Sequence, residues 1–147
     1  MDIREQLMQD LKAAMQDKDT IKKNTVTMVR SAILQFEKDN LTELDEDGIM
    51  EIIAKELKKR RDFLPEYEKS GRDDLIADIN REIEILLAYL PEQLTREELE
   101  VIVADAIAQT GATSMKDMGK IMGAVMPKVK GRADGKMINA IVKEKLS

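Results

Sequence analysis

Apolar residues recur every three or four positions along most of this chain, which is the period of an α-helix with one buried face. The spacing predicts a first helix over residues 2–17 and a second that ends before an exit loop over residues 39–43. Asp45 is placed to cap a third helix, which residues 70 and 71 interrupt. A fourth, very regular stripe ends at Leu90. We expect the third and fourth helices to form a long antiparallel hairpin.

The C-terminal third of the chain carries a second set of helix signals. Thr95 and Glu98 have the spacing of a capping box, which predicts the start of a fifth helix, and Gly111 is placed to end it. Ser114 is placed to cap a sixth helix and Asp134 a seventh, because both side chains accept hydrogen bonds from the N–H groups of a first helical turn. Three further helices are therefore predicted.

The two sets of signals meet at Pro91, which ends the fourth stripe. They predict an all-α, multihelical protein with a four-helix bundle over residues 1–92 and a three-helix bundle over residues 93–147. No apolar run approaches the roughly 18 residues of a membrane span, and the start of the chain lacks the basic-then-apolar order of a secretion signal. We expect a monomeric protein of the cytoplasm with no membrane partner.

The composition narrows the chemistry that the chain could perform. There is no cysteine, histidine or tryptophan, which removes disulfides, Cys/His zinc sites and every catalytic arrangement that uses imidazole as its base. Residues 43–48 have the spacing of a calcium-binding loop, but Ala54 stands where such a loop needs a bidentate glutamate. We expect no metal, no cofactor and no identifiable catalytic residue.

The charge is distributed unevenly along the chain. The formal net charge is −5, but residues 115–147 carry 8 basic and 3 acidic side chains, for a net charge of +5. Residues 1–114 carry 16 basic and 26 acidic side chains, for a net charge of −10. Such asymmetry is one signature of a nucleic-acid-binding segment, although basic helix ends also occur without that role.

The basic segment contains cations and glycines around a predicted helix start. Glycines let a backbone approach a phosphate, and the N–H groups of a helix N-terminus are donors, so the segment predicts either an RNA-backbone contact or a tight structural turn. The candidate RNA-binding residues are Lys116, Lys120, Lys128, Lys130, Arg132 and Lys136. The residues assigned to turns, caps or close packing are Gly119, Gly123, Gly131, Asp134 and Gly135.

Two further patterns have a structural and a functional interpretation. Gly119 and Gly123 form a Gly-x-x-x-Gly pair, which predicts close approach of another helix or backbone. The methionines at positions 118, 122 and 126 are expected to fill the core rather than to line a partner groove. The basic run over residues 58–61 is expected to be a solvated helix face, with Glu56 and Arg60 as an i,i+4 ion pair.

The C-terminal residues suggest a family. The runs 123–126, 130–136 and 143–146 resemble the tail domain of the glutamyl/aspartyl-tRNA amidotransferase B subunit. The runs 71–75 and 82–91 extend the likeness to the stand-alone bacterial version, the YqeY-like proteins, over essentially the whole chain. One departure is that an Asp-Gly pair follows the basic run where the amidotransferase tail usually has Asn-Pro.

The resemblance implies two helical bundles and an association with tRNA. In the amidotransferase the corresponding tail helps to dock the misacylated tRNA, and the chemistry happens in other domains. The leading hypothesis is therefore a module that binds tRNA or aminoacyl-tRNA and has no catalytic site of its own. The alternatives are a protein–protein adaptor for an amidotransferase or synthetase, and a component of a glutamine-dependent amidotransferase, which is a carbon–nitrogen ligase.

Overall fold

The computed structural model describes residues 1–146, and within them the chain forms seven α-helices and one 3₁₀ turn. The all-α prediction is confirmed, with four helices before Pro91 and three after it. In chain order the elements are α1 (Ile3–Gln16), α2 (Thr20–Asn40), α3 (Glu46–Ser70), α4 (Asp73–Leu87), α5 (Arg96–Thr110), the 3₁₀ turn (Met115–Asp117), α6 (Met118–Val129) and α7 (Gly135–Leu146).

The described chain divides into two compact units. Unit 1 spans Met1–Leu90, and unit 2 begins at Pro91. Each unit has its own cluster of buried apolar side chains. That residues 1–92 and 93–147 are separate folding domains stays a prediction.

Unit 1 is built around the long pair of helices α3 and α4. Leu7, Val26, Ile53 and Leu86, one from each helix of the unit, are almost completely buried and form its core. Gly71 ends α3 with a φ of 70°, a left-handed conformation in which a side chain would be strained, and this turn sends α4 back along α3. The predicted hairpin is therefore formed, and the Asp45 carboxylate caps α3 by accepting from the Gly48 N–H at 2.8 Å.

Two helix ends differ from the predicted positions. Helix α2 continues through Asn40, two residues into the predicted exit loop, because the Asn40 side chain donates to the Phe36 carbonyl at 2.8 Å and Leu41 adopts the left-handed conformation that ends the helix. Helix α4 ends at Leu87, before the predicted Leu90. Residues 88–90 form a tighter turn, in which the Leu90 N–H bonds to the Leu87 carbonyl at 3.1 Å.

Arg60 contradicts the expectation of a solvated basic face on α3. Its Nη1 lies 2.9 Å from Glu56 Oε2, so the predicted i,i+4 pair is formed, but both side chains are buried. A third charge, on Glu82 of α4, lies 3.6 Å from Nη2. Lys58 and Lys59 are exposed, as expected. The run KKRR therefore contributes one buried cation to the contact between α3 and α4.

Unit 2 packs α5, α6 and α7 around a smaller core. The capping box of Thr95 and Glu98 is present, and Gly111 ends α5 with a φ of 68°, so both predictions are confirmed. Ser114 caps the 3₁₀ turn that precedes α6, rather than α6 itself, by accepting from the Lys116 N–H. The core side chains are Leu99, Val103, Ala106, Ile121, Val125, Val129, Ile138, Ile141 and Val142.

Candidate nucleic-acid interface

A tight turn joins α6 to α7 and holds the centre of the predicted interface. Gly131 has a φ of 70°, and the Arg132 N–H donates to the Val129 carbonyl at 2.8 Å. A side chain at position 131 would be strained, which explains why glycine stands there. The turn requires Gly131 whether or not a phosphate binds, so both predicted interpretations remain open for this residue.

Residues 92–94, near the start of unit 2, hold this turn in place through hydrogen bonds. The Leu94 N–H donates to the Arg132 carbonyl at 2.9 Å, and the Gln93 side chain donates to the Gly131 carbonyl at 2.8 Å. The Arg132 Nε in return donates to the Glu92 carbonyl at 3.1 Å. Three hydrogen bonds, counting the one within the turn, therefore fix the backbone of the turn, and a fourth holds the Arg132 side chain against residue 92.

Gln93 and Glu92 were not predicted to belong to the site. Their contribution comes through one side-chain amide and one backbone carbonyl, and neither has a sequence signature. The only signal nearby is Pro91, which restricts the backbone at the start of the segment.

The N-terminus of α7 already has an anionic group. The Asp134 carboxylate accepts from the Lys136 N–H at 3.0 Å, and the Asp134 carbonyl accepts from the N–H groups of Met137 and Ile138. These bonds engage the N–H groups of residues 136–138, and the Asp134 carboxylate places a negative charge where a phosphate would otherwise bind. Contact with an external phosphate at this turn would therefore come from basic side chains rather than from the helix end.

The six candidate cations fall into two groups. Lys128, Lys130, Arg132 and Lys136 occupy the end of α6, the turn and the start of α7, and Arg132 is half-buried whereas the three lysines are exposed. Lys120 lies in the first turn of α6, and Lys116 lies in the 3₁₀ turn that precedes it. Lys120 and Lys128 are about 12 Å apart along the helix axis, from the rise of α-helical residues. Four of the six candidates therefore lie within residues 128–136, which contain the turn.

Helix α6 presents an unpacked strip of backbone. A Cβ atom placed on Gly119 or Gly123 would meet no atom within 4 Å, so close approach by another part of the chain, as predicted for this pair, does not occur in unit 2. Met118 and Met122 pack against the core as expected, but the expectation is wrong for Met126, which is exposed. The outward side of α6 therefore carries glycines and one methionine, with Lys120 beside them.

At this site, lysine and arginine side chains stand around backbone amides and carbonyls that are already bonded to one another, to the Gln93 side chain or to the Arg132 side chain. No group of three or more acidic side chains among residues 1–146 could hold a metal ion. Over the same residues, every helix is too short or too polar to cross a membrane.

Comparison with known proteins identifies relatives over nearly the whole chain. The family model described as Yqey-like protein matches residues 4–146. The Altered inheritance of mitochondria protein 41, mitochondrial, of Kluyveromyces lactis is 37% identical over 105 residues, which cover 69% of this chain and 56% of that protein. The protein of the same name in Eremothecium gossypii is 31% identical over 125 residues, which cover 84% of this chain and 65% of its own length.

A more distant similarity connects the chain to an amidotransferase. A glutamyl-tRNA(Gln) amidotransferase polypeptide of Thermococcus gammatolerans is 40% identical over 57 residues, which cover 36% of this chain but only 9% of that polypeptide. The chain spans 56% of the length of the Kluyveromyces relative. Both fungal relatives are named as mitochondrial proteins. That this chain comes from a bacterium and is found in the cytoplasm therefore stays a prediction.

Proposed function

The chain belongs to the YqeY-like family, and from that premise we propose that it is a binding module for tRNA or aminoacyl-tRNA with no catalytic site of its own. The main support for the proposal is the turn between α6 and α7, which hydrogen bonds hold in one conformation. It holds Lys128, Lys130, Arg132 and Lys136 on a short, fixed stretch of backbone, and the candidate contact surface extends along α6 to Lys120.

The chemistry of the turn suits a phosphate backbone. Lysine and arginine side chains neutralise phosphates without reading base identity, so the contact would position an RNA rather than select its sequence. A fixed backbone lowers the ordering cost of binding, because the turn does not have to be immobilised when RNA arrives. The matched segment of the amidotransferase polypeptide supports tRNA as the RNA in question.

The number of cations sets the expected salt dependence. About four neutralised phosphates, each contributing a slope of about −0.9 in log K against log salt for a duplex, weaken binding about a hundredfold between about 50 and 200 mM salt. The acidic remainder of the chain opposes RNA, so the affinity is expected to be weak and measurable at low salt.

Charge reversal tests the location of the contact. In a low-salt titration with tRNA, K128E together with K130E should weaken binding at least tenfold and lower the salt slope by about two, since two phosphate contacts are lost. The matched control is K23E with K58E, which makes the same change in net charge at exposed lysines of unit 1. Equal weakening by both pairs, or no affinity of the folded wild-type protein at low salt, would refute the proposal.

The adaptor role is the second candidate, and one observation favours it. Unit 1 exposes a groove lined by large apolar side chains, among them Phe63 and Met28, whereas its acidic charge disfavours RNA. A component of a glutamine-dependent amidotransferase is the third candidate. No residue of the chain is assigned a catalytic role under any of these proposals.

A further inference from the structure

Helices α2, α3 and α4 of unit 1 border an open groove with apolar walls. Its volume is about 400 Å³, and Met28, Phe63, Tyr67 and Ile79 contribute its apolar lining. Phe63 is 60% exposed and Met28 is 47% exposed. Two large apolar side chains on one exposed groove give a partner apolar area to bury.

The floor of the groove contains a buried arginine, Arg60, and one of its N–H groups is not hydrogen-bonded within the described chain. Arg60 is 9% exposed, and its Nη groups bond to Glu56 and to the Met28 sulfur, with Glu82 at 3.6 Å. Its Nε is buried and has no hydrogen-bond partner among the described residues. Because this N–H is enclosed by the protein, a partner in the groove would change its surroundings without bonding to it, and its NMR signal would report that the groove is occupied.

The charges at the floor of the groove balance one another. The Arg60 guanidinium faces two carboxylates, those of Glu56 and Glu82, and the Lys59 ammonium lies 3.4 Å from Glu56. The Arg60 cation is therefore already neutralised, and an anionic ligand would meet two carboxylates. The floor thus favours an apolar group over a carboxylate or phosphate.

The segment of the α3–α4 hairpin that carries Phe63, Tyr67 and Ile79 of the groove is acidic, and none of its side chains is buried. From residue 61 to residue 84 every side chain is exposed or half-buried, including those of Leu64, Leu75 and Ile76. The same stretch carries eight acidic and four basic residues, for a formal net charge of −4. Such a surface repels RNA and attracts a basic segment, so charge and apolar area together favour a protein partner.

We propose that this groove docks a basic amphipathic helix of a partner protein. A large apolar side chain of that helix lies between Phe63 and Met28, and basic residues of the helix face the acidic hairpin. The arrangement is the helix-in-groove mode, in which a few apolar anchors give affinity and the flanking charges give orientation. It uses unit 1 alone and would stand if RNA binding by unit 2 failed.

A designed peptide tests the groove without a known partner. The probe is a helical peptide of about 15 residues with leucines on one face and lysines on the other, and its match has glutamates in place of the lysines. Nitrogen-15 spectra of the full chain follow the Arg60 Nε–H signal during titration. The expected result is a saturable shift of that signal with the basic peptide and at least tenfold weaker binding of the acidic one.

Two variants of equal exposure locate the contact. Leu34 is also 60% exposed, on α2, and it does not line this groove. F63A should weaken the basic peptide about tenfold, as loss of a central apolar anchor does, whereas L34A should change its affinity less than about twofold. Equal effects of the two variants, or binding that leaves the Arg60 signal unmoved, would overturn the proposal.

The same signal reports on other occupants. A shift that grows with protein concentration in the absence of peptide would show that a second copy of the chain fills the groove. A shift produced by tRNA would show that RNA does. Either result would overturn the assignment to a basic helix, and neither depends on the charge-reversal experiment at the turn of unit 2.

Discussion

Replacing Glu56 by glutamine tests whether the buried charges of α3 contribute to the stability of unit 1. The substitution keeps the shape of the side chain and removes the carboxylate that lies 2.9 Å from Arg60. Arg60 would keep its hydrogen bond to the Glu56 backbone carbonyl, at 3.0 Å, and a weaker contact to Glu82 at 3.6 Å. Compensation would therefore be partial.

The remaining contacts set the magnitude of this effect. An unpaired buried charge costs about 3–5 kcal/mol, and an exposed ion pair contributes about 0–1 kcal/mol. Because Glu82 retains part of the compensation, we expect E56Q to lower the free energy of unfolding by about 2 kcal/mol. Replacing both Glu56 and Arg60 by leucine should cost less than E56Q does, since no buried charge would be left.

The chain provides its own probe for the measurement. It has no tryptophan, and both of its tyrosines, Tyr67 and Tyr89, belong to unit 1. Tyrosine emission during urea unfolding therefore reports unit 1, whereas circular dichroism reports the helices of both units. The matched control is E100Q in unit 2, which removes an i,i+4 partner of Arg96 at 3.1 Å, with both side chains more than 40% exposed.

The control should lose less than about 0.5 kcal/mol, measured by circular dichroism. A loss below about 0.5 kcal/mol for E56Q as well would refute the reasoning, because it would mean that the Arg60 charge does not need the carboxylate. A double leucine variant that is less stable than E56Q would refute it from the other side.

Three further predictions concern the turn, the core and the response to acid. In circular dichroism melts, G123A should stabilise unit 2 by about 0.5–1 kcal/mol, since the new methyl group meets open space on a helix. G131A should destabilise unit 2 by about 1 kcal/mol, because alanine is strained at the left-handed φ of this position. The opposite order of the two effects would contradict the assigned conformations. Y89F should lower the free energy of unfolding by about 1 kcal/mol, because it removes a hydrogen bond from a mostly buried hydroxyl to a carboxylate on α1. Circular dichroism measures this loss without relying on tyrosine emission, and no change would argue against that bond. The hydrogen bond from Arg4 lowers the pKa of Glu37. The stability that this bond contributes is therefore present above the ordinary carboxyl pKa and is lost as the pH falls through the lowered value. The difference in urea midpoint between wild type and E37Q should shrink on acidification, and a constant difference would contradict this assignment.

Local chemistry made most helix boundaries predictable. Asp45 and the pair of Thr95 and Glu98 mark helix starts because a capping hydrogen bond spans only two or three residues. The burial of Arg60 has a different origin. It depends on Glu82 of α4 and Met28 of α2, which pack against α3 only in the folded unit, so the local charge pattern could not predict it.

The candidate interface, like the helices, was predictable from the sequence only where a local signal determines the structure. The left-handed conformation favours glycine, so Gly131 could be assigned to a turn from its residue type, although Leu41 adopts the same conformation at the end of α2. The bond from Arg132 to the Glu92 carbonyl spans 40 residues and has no local signal. The spacing of Gly119 and Gly123 shows only that a neighbour could approach, and it does not supply one.

The opposite charges of the two binding surfaces make the two proposals separable by salt alone. RNA binding at the turn gains its free energy from counterion release, so it should weaken about a hundredfold between about 50 and 200 mM salt. Peptide binding at the groove gains most of its free energy from buried apolar area around Phe63, and salt screens only the attraction of the acidic hairpin. The peptide affinity should therefore fall less than about tenfold over the same range. An equally steep fall would mean that the hairpin charge, and not the groove, holds the peptide, and the Phe63 variant would then have no effect.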